Sequence, residues 1–242
     1  MLLRALRWIR AKVTQKAERL LLRILAAGPI PKHVAFVMDG NRRYARSHQQ
    51  PIHQGHSDGF VALRRMLEAC LRLERTISLW KCRSMGKFWK EYGVRLNVLG
   101  KTSLLPEYVQ EAIRHVESVT RNNNKAILNI CMSYSSQDEM TTAVDSAVRL
   151  SLEKSEKSNS DVSEITEDDI DAQLFTSLAG SPPLDILIRT SGVKRLSDFL
   201  LWQCSENTQI HFSKTYWPEF GLWDFIPILL DYQRKAWGQR IL

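Results

Sequence analysis

No run of apolar residues in this 242-residue chain reaches the ~18 that a membrane-crossing helix needs, so no transmembrane span is expected. The apolar residues near the start are interrupted by arginine, which argues against a signal peptide. Cysteines number only four (Cys70, Cys82, Cys131 and Cys204) and none forms a CxxC pair, so neither a zinc site nor a disulfide framework is expected. Three of them lie in apolar runs and read as small core residues in a reducing compartment. His53 and His56 stand close together without a second ligand pair, which leaves a zinc site unsupported. No internal repeat is visible. What is present is a globular composition: 44 % hydrophobic and 25 % charged, enough for one α/β domain or one domain with a terminal appendage. Lys and Arg total 34 against 26 acids, a formal net charge of +8. That excess favours an anionic partner: nucleic acid, an anionic membrane surface or phosphate substrates. Charge alone does not choose among them.

Residues 1–27 read as one amphipathic helix. Leu2, Leu6, Ile9, Val13, Leu20 and Ile24 recur at helical spacing among Arg4, Arg7, Arg10, Lys12, Lys16, Arg19 and Arg23. Gly28 and Pro29 end it. Two readings stay open: packing on its own domain or a partner, or lying on an anionic membrane face. From Val34 to Met38 a short apolar run ends in Asp39-Gly40-Asn41, a buried parallel strand with a loop at its carboxyl end. A helix is expected from about Gly59. Strands follow at Arg95–Gly100, Ala126–Met132, Asp185–Ile188 and Ile210–Phe212. Between them lie a helix opened by Pro106 and Glu107, a helix started by a Ser136-x-x-Glu139 capping box, and a solvated linker over 153–169. The chain closes on a helix containing Phe225, Leu229 and Tyr232. Strands alternating with helices imply a single α/β domain, a mostly parallel sheet flanked by helices, with ligands beyond the carboxyl ends of the strands.

Three constellations sit at such places. In Asp39-Gly-Asn-Arg-Arg43, Gly40 lets backbone approach a ligand, while Arg42 and Arg43 supply charge-assisted donors suited to phosphate. Phosphate would repel Asp39 unless a cation lay between them, which points to Mg²⁺. The alternative is an ordinary turn with a solvated arginine pair. Arg189 and Arg195, with Ser197, cluster after another buried strand and can hold one diphosphate; the alternative is a basic surface loop. His56-x-x-Gly59 opens a helix, where the imidazole is either a phosphate or acid–base group or a plain surface histidine.

Three blocks then carry a resemblance: His33-Val-Ala-Phe-Val-Met-Asp-Gly-Asn-Arg-Arg-Tyr-Ala45, Gly55-His-Ser-Asp-Gly59, and the long block from Asp185 to Gln203. With Trp217-Pro-Glu-Phe220 they resemble, in order, the signature of the cis-prenyltransferases. The wording is more like eukaryotic dehydrodolichyl diphosphate synthase subunits than bacterial undecaprenyl diphosphate synthases. The resemblance covers about residue 28 to the end, giving an N-terminal helix over 1–27 and a prenyltransferase domain over 28–242. It implies a transferase that condenses isopentenyl diphosphate onto an allylic primer, farnesyl diphosphate, to make a polyprenyl diphosphate. In that reading Asp39 holds Mg²⁺ and helps the primer ionise. Gly40, Asn41, Arg42, Arg43 and His56 hold the allylic diphosphate, with Asn41 and His56 counted beside Asp39 as catalytic. Arg189, Arg195 and Ser197 take the diphosphate of isopentenyl diphosphate.

Two departures from the family pattern bear on activity. An Ala-Phe-Ser-x-x-Asn strand and a long helix normally follow the first helix; here residues 73–92 carry no Ser/Asn counterpart, so a central strand and a channel-lining helix are expected to be missing. Ile77-Ser-Leu-Trp80 could substitute for the strand, but it is short. The tail reads Arg234-Lys-Ala-Trp-Gly238 in place of the Arg-x-Gly of self-sufficient members. The resemblance therefore implies a Nogo-B-receptor-like partner subunit and a peripheral place on the cytoplasmic face of the endoplasmic reticulum membrane. A truncated, non-catalytic form that still binds the partner is the second reading. A nucleic-acid binder rests on net charge alone, and arginines concentrated in two loops and one helix argue against it.

Overall fold

The computed structural model describes residues 17–18, 20–73, 92–158 and 164–238, and the backbone of 76–80. Six strands form one sheet in the order β3-β4-β2-β1-β5-β6, every neighbouring pair parallel. They are β1 (His33–Val37), β2 (Thr76–Trp80), β3 (Val94–Leu99), β4 (Ala126–Cys131), β5 (Ile186–Arg189) and β6 (Gln209–Phe212). The helices are α1 (Asn41–Ser47), α2 (Ile52–Arg72), α3 (Glu107–Thr120), α4 (Ser136–Ser158), α5 (Glu167–Asp171), α6 (Phe175–Leu178) and α7 (Leu222–Gly238).

β1 is buried along its whole length, as a strand covered on both faces must be. Its alternate side chains divide between two cores. Val34 and Phe36 join Leu63, Met66, Leu67 and Cys70 of α2 and Phe225 and Leu229 of α7; Ala35 and Val37 join Leu187, Cys131, Tyr134 and Phe199. Phe36 also lies against three aromatic rings, with centroids 5.7 Å away at Trp217, 6.2 Å at Phe220 and 6.1 Å at Phe225. Cys70 and Cys131 are free, buried core residues, as read; burial pushes the Cys70 thiol up to about 12. Cys82 lies outside the described residues.

After β4 the chain crosses to the far side of β1 to lay down β5, so the order reverses around the β1–β5 pair. Such a reversal opens a crevice at the carboxyl ends of the strands. That geometry sets the place of the site.

Several expectations need correction. α2 begins at Ile52, seven residues before Gly59. Ser136 and Glu139 do not form a capping box. Ser136 Oγ accepts from Leu201 N, and Glu139 is fully buried, accepting from Tyr134 Oη, Phe175 N and Gln203 Nε2. The turn is capped instead by Asp198, whose Oδ1 accepts from Gln137 N at 3.0 Å. The expected linker is helical to Ser158 in α4, and a true capping box, Thr166 with Asp169, opens α5. Of the helix expected over 1–27, residues 17–18 and 20–26 are described and helical. Leu22 and Leu25 enter the core while Leu20 and Ile24 stay exposed, and Gln233 Nε2 donates to Leu25 O at 2.7 Å. Residues 1–16 and 19 of that expected helix lie outside the described residues. Thr76–Trp80 takes the central place between β1 and β4. Residues 81–91, where the second missing element was expected, lie outside the described residues.

One buried group makes stability pH-dependent. His33 is fully buried, and desolvation lowers its pKa from 6.5 to about 4 despite a hydrogen bond to Pro182 O and the nearby Asp185 charge. The unfolded chain protonates near 6.5, so below that pH unfolding takes up a proton that the folded protein refuses. Stability is therefore unaffected above about pH 7, falls between 6.5 and 4, and levels off below. The total reaches about 3 kcal/mol at 1.36 kcal/mol per pH unit. Urea midpoints at pH 7, 5.5 and 4.5 will show this slope, and His33→Asn will flatten it. An unchanged slope in the variant would clear His33 of the effect.

Candidate functional site

The crevice is built from the ends of β1 and β5. Their register pairs Val37 with Arg189, so the residues just beyond, Asp39 and Thr190, face each other where the ladder stops. Gly40 then turns the chain into α1 with φ +100°, a conformation open to glycine. A side chain there would also sit 2.8 Å from Tyr216 Cδ1 and 2.9 Å from Ser191 Cβ, so the turn needs glycine twice over. α1 and α2 meet through Gly55 and Gly59. A Cβ on Gly55 would lie 2.4 Å from Asn41 O, and one on Gly59 2.2 Å from Asn41 Oδ1. Trp217 locks the joint: its Nε1 donates to Gly59 O at 2.8 Å and its backbone N to Asp39 O at 3.1 Å.

Asp39 is the hub. Its Oδ1 accepts from Gly40 N at 2.7 Å and faces Arg43 Nη2 at 3.3 Å, while Oδ2 accepts from Arg189 Nη2 at 3.0 Å. Partial burial works against ionisation. The Arg189 bond, the Gly40 amide and the charges of Arg189 and Arg43 outweigh it and hold the carboxyl below the usual carboxylate range. Arg189 is buried, 6 % exposed, and uses its other donor, Nη1, on Arg195 O at 2.6 Å and Ser197 Oγ at 2.7 Å. Its Nε is buried with no partner among the described residues. Arg43 donates to Ser191 Oγ and, at 3.3 Å, to Ser191 O, beneath the Tyr216 ring at 5.7 Å.

The structure thus brings Asp39, Gly40, Asn41, Arg42 and Arg43 together with Arg189, Arg195 and Ser197 across one crevice. Arg42, Arg195 and His56 are exposed, Arg195 and His56 without a described side-chain partner, whereas Arg189 is a bracket whose hydrogen bonds run inward. Asn41 donates through Nδ2 to Met38 O at 3.2 Å, and its Oδ1 is buried against Gly59 without a partner. Thr190, Ser191, Thr215 and Tyr216 belong to the site although sequence reasoning did not single them out; Thr190 and Ser191 lie inside the long signature block, which was the available signal.

No cluster of three or more His, Cys, Asp or Glu side chains among the described residues can cage a metal. A single carboxylate beside arginines of a type suited to phosphate is nevertheless a donor set compatible with Mg²⁺, which takes one or two carboxylates together with substrate phosphates.

Comparison with known proteins agrees with this architecture. Residues 37–85 and 75–238 match the profile of the prenyltransferase family described as putative undecaprenyl diphosphate synthase. A dehydrodolichyl diphosphate synthase complex subunit of Schizosaccharomyces pombe is 38 % identical over 247 residues, covering 89 % of this chain and 90 % of the relative. The corresponding mouse subunit is 37 % identical over 255 residues, 94 % of this chain and 74 % of its own. Among solved structures, lavandulyl diphosphate synthase from Lavandula x intermedia, in complex with dimethylallyl diphosphate, superposes with a TM-score of 0.71 at 25 % identity over 84 % of this chain and 95 % of that one.

Proposed function

Because the chain belongs to the undecaprenyl diphosphate synthase family of cis-prenyltransferases, we propose that it condenses isopentenyl diphosphate onto farnesyl diphosphate and builds a dehydrodolichyl-type polyprenyl diphosphate. The observation that carries this reading is the Asp39–Arg189 contact, which joins two phosphate-suited loops in one crevice. In the reaction the carbon–oxygen bond of the primer breaks, a carbon–carbon bond forms to the isopentenyl unit, which gives up one proton to solvent or to the released diphosphate, and negative charge collects on the departing diphosphate. We assign Arg42, Arg43 and the Gly40 turn to hold that group, since preorganised donors of this kind stabilise charge as it develops. Asn41 and His56 flank the same loop. Arg189, Arg195 and Ser197 hold the second diphosphate, Arg189 also fixing their loop, and keeping both substrates side by side supplies the remaining advantage. Asp39 is the residue that would hold Mg²⁺, which when bound neutralises diphosphate charge.

The names of the yeast and mouse relatives describe subunits of a complex. We extend that to this chain as a Nogo-B-receptor-like partner subunit, with peripheral attachment to the cytoplasmic face of the endoplasmic reticulum membrane. The basic, amphipathic pattern of residues 1–27 and the exposed Leu20 and Ile24 support attachment, and no described helix is long and apolar enough to cross a membrane.

The shortfall between α2 and β3 remains part of the proposal. The alignment to the S. pombe subunit has 247 positions, while 89 % of 242 residues is about 215, so some thirty positions of the relative face no residue here. The family match also breaks into two pieces that meet at residues 75–85. We favour a catalytic subunit over the non-catalytic form, since both substrate loops are whole and β2 fills the sheet. Incorporation of labelled isopentenyl diphosphate onto farnesyl diphosphate, with and without a Nogo-B-receptor-like subunit, tests the proposal; no polyprenyl product in either arm would overturn it.

Within that assay Arg195→Ala is expected to raise the KM for isopentenyl diphosphate with little change in that for farnesyl diphosphate. A charge-assisted bond contributes roughly 1.5–3 kcal/mol, or about tenfold to a hundredfold. A rise in the farnesyl diphosphate KM instead would show the two diphosphate sites to be assigned the wrong way round.

A further inference from the structure

We infer that Thr190 is a positioning residue for the Asp39 carboxylate, acting through the backbone of Asp39. The inference rests on the proposed role of Asp39 and goes beyond it. Thr190 is fully buried, directly after the last paired residue of β5. Its hydroxyl accepts from Asp39 N at 3.1 Å and lies 2.9 Å from Asp39 O, to which it donates; Val37 O, at 3.3 Å, is the longer alternative. One side chain therefore grips both polar backbone groups of Asp39, where the main-chain ladder between β1 and β5 has ended. The preceding residue, Arg189, holds the carboxylate itself. The Arg189–Thr190 dipeptide thus fixes Asp39 from both sides, leaving its carboxylate little freedom to turn away from the crevice.

A purely structural hydroxyl would be the sole partner of the groups it meets. Here it is not. Asp39 N also lies 2.9 Å from Val37 O, and Asp39 O also accepts from Trp217 N at 3.1 Å. Removing the hydroxyl orphans neither group, so its loss falls on the orientation of Asp39 more than on the stability of the fold. Preorganised geometry of this kind matters at a site that must meet a metal-bound diphosphate without rearranging.

The test uses the full chain with inorganic diphosphate as probe, titrated calorimetrically in Mg²⁺ and in EDTA. Thr190→Val keeps the shape and removes the hydroxyl; Thr190→Ser keeps the hydroxyl. The valine variant should lose about tenfold in affinity in Mg²⁺, on the scale of one or two hydrogen bonds, while its affinity in EDTA stays within about twofold and serine restores the wild-type value. Should valine prevent folding, Thr190→Cys, which weakens both bonds at nearly the same volume, takes its place. Wild-type affinity in the valine variant, or equal losses with and without Mg²⁺, would overturn the inference. If the wild-type protein gains no affinity from Mg²⁺, the metal role of Asp39 falls, and amide exchange at Asp39 decides the clamp on its own: faster exchange in the valine variant than in wild type and serine supports it, equal rates overturn it.

Discussion

Replacing Asp39 with alanine is expected to cut turnover by at least about a hundredfold, the scale seen when one preorganised charge-stabilising group is removed, and to leave the protein folded. The fold survives because the backbone of Asp39, not its side chain, ties β1 to Thr190 and Trp217. The side chain is 31 % exposed and makes no apolar contact that holds the core. Some stability goes: buried Arg189 loses the carboxylate at its Nη2, a loss of about 1–3 kcal/mol when a buried donor is left unpaired. Asp39→Asn separates the two effects, since the amide oxygen can still accept from Arg189 while the charge a metal requires is gone. Both variants should melt cooperatively, the asparagine form nearer to wild type, and both should fail to incorporate labelled isopentenyl diphosphate. Mg²⁺-dependent turnover close to the wild-type rate in either would remove Asp39 from the reaction.

Both sides of this site could be read from the sequence because short apolar runs ending in polar loops report buried strands and their carboxyl ends. β1, β3, β4, β5 and β6 fall within a residue or two of their expected places. What could not be read depended on distant partners. The first turns of α2 carry His53, Gln54, His56, Ser57 and Asp58, which give no apolar stripe, so its true start at Ile52 was hidden. Glu139 has the spacing of a cap but is drawn inward by Tyr134, Phe175 and Gln203, the last two remote in sequence. The end of α4 is a charged surface helix with i,i+4 pairs such as Glu153–Lys157, and resembles a linker in composition. Arg189 and Arg195 look alike in sequence. In the structure the first is buried with its guanidinium hydrogen-bonded inward, and the second is exposed.

Ser78→Pro is expected to unfold the protein or to lower its stability by several kcal/mol, because residues 76–80, after α2, supply a central strand. Residue 78 pairs with Ala35 of β1 on one side and with Asn129 of β4 on the other. A strand with neighbours on both sides spends its N–H groups in the ladder, and proline has none to give. The acceptor left behind is buried in the sheet, at about 1–3 kcal/mol, and the ring further disturbs a strand that cannot move aside. A domain stable by only ~5–15 kcal/mol has little margin for that. If no segment replaced the expected strand, β1 and β4 would each present an unpaired edge in the middle of the sheet; with Thr76–Trp80 between them, both ladders are complete. The experiment is urea denaturation of Ser78→Pro beside Ser78→Ala, which keeps the backbone donor and should stay close to wild type. A proline variant as stable as wild type would mean that residues 76–80 are not a central strand, and the loss of a structural element inferred from the family pattern would then stand in full.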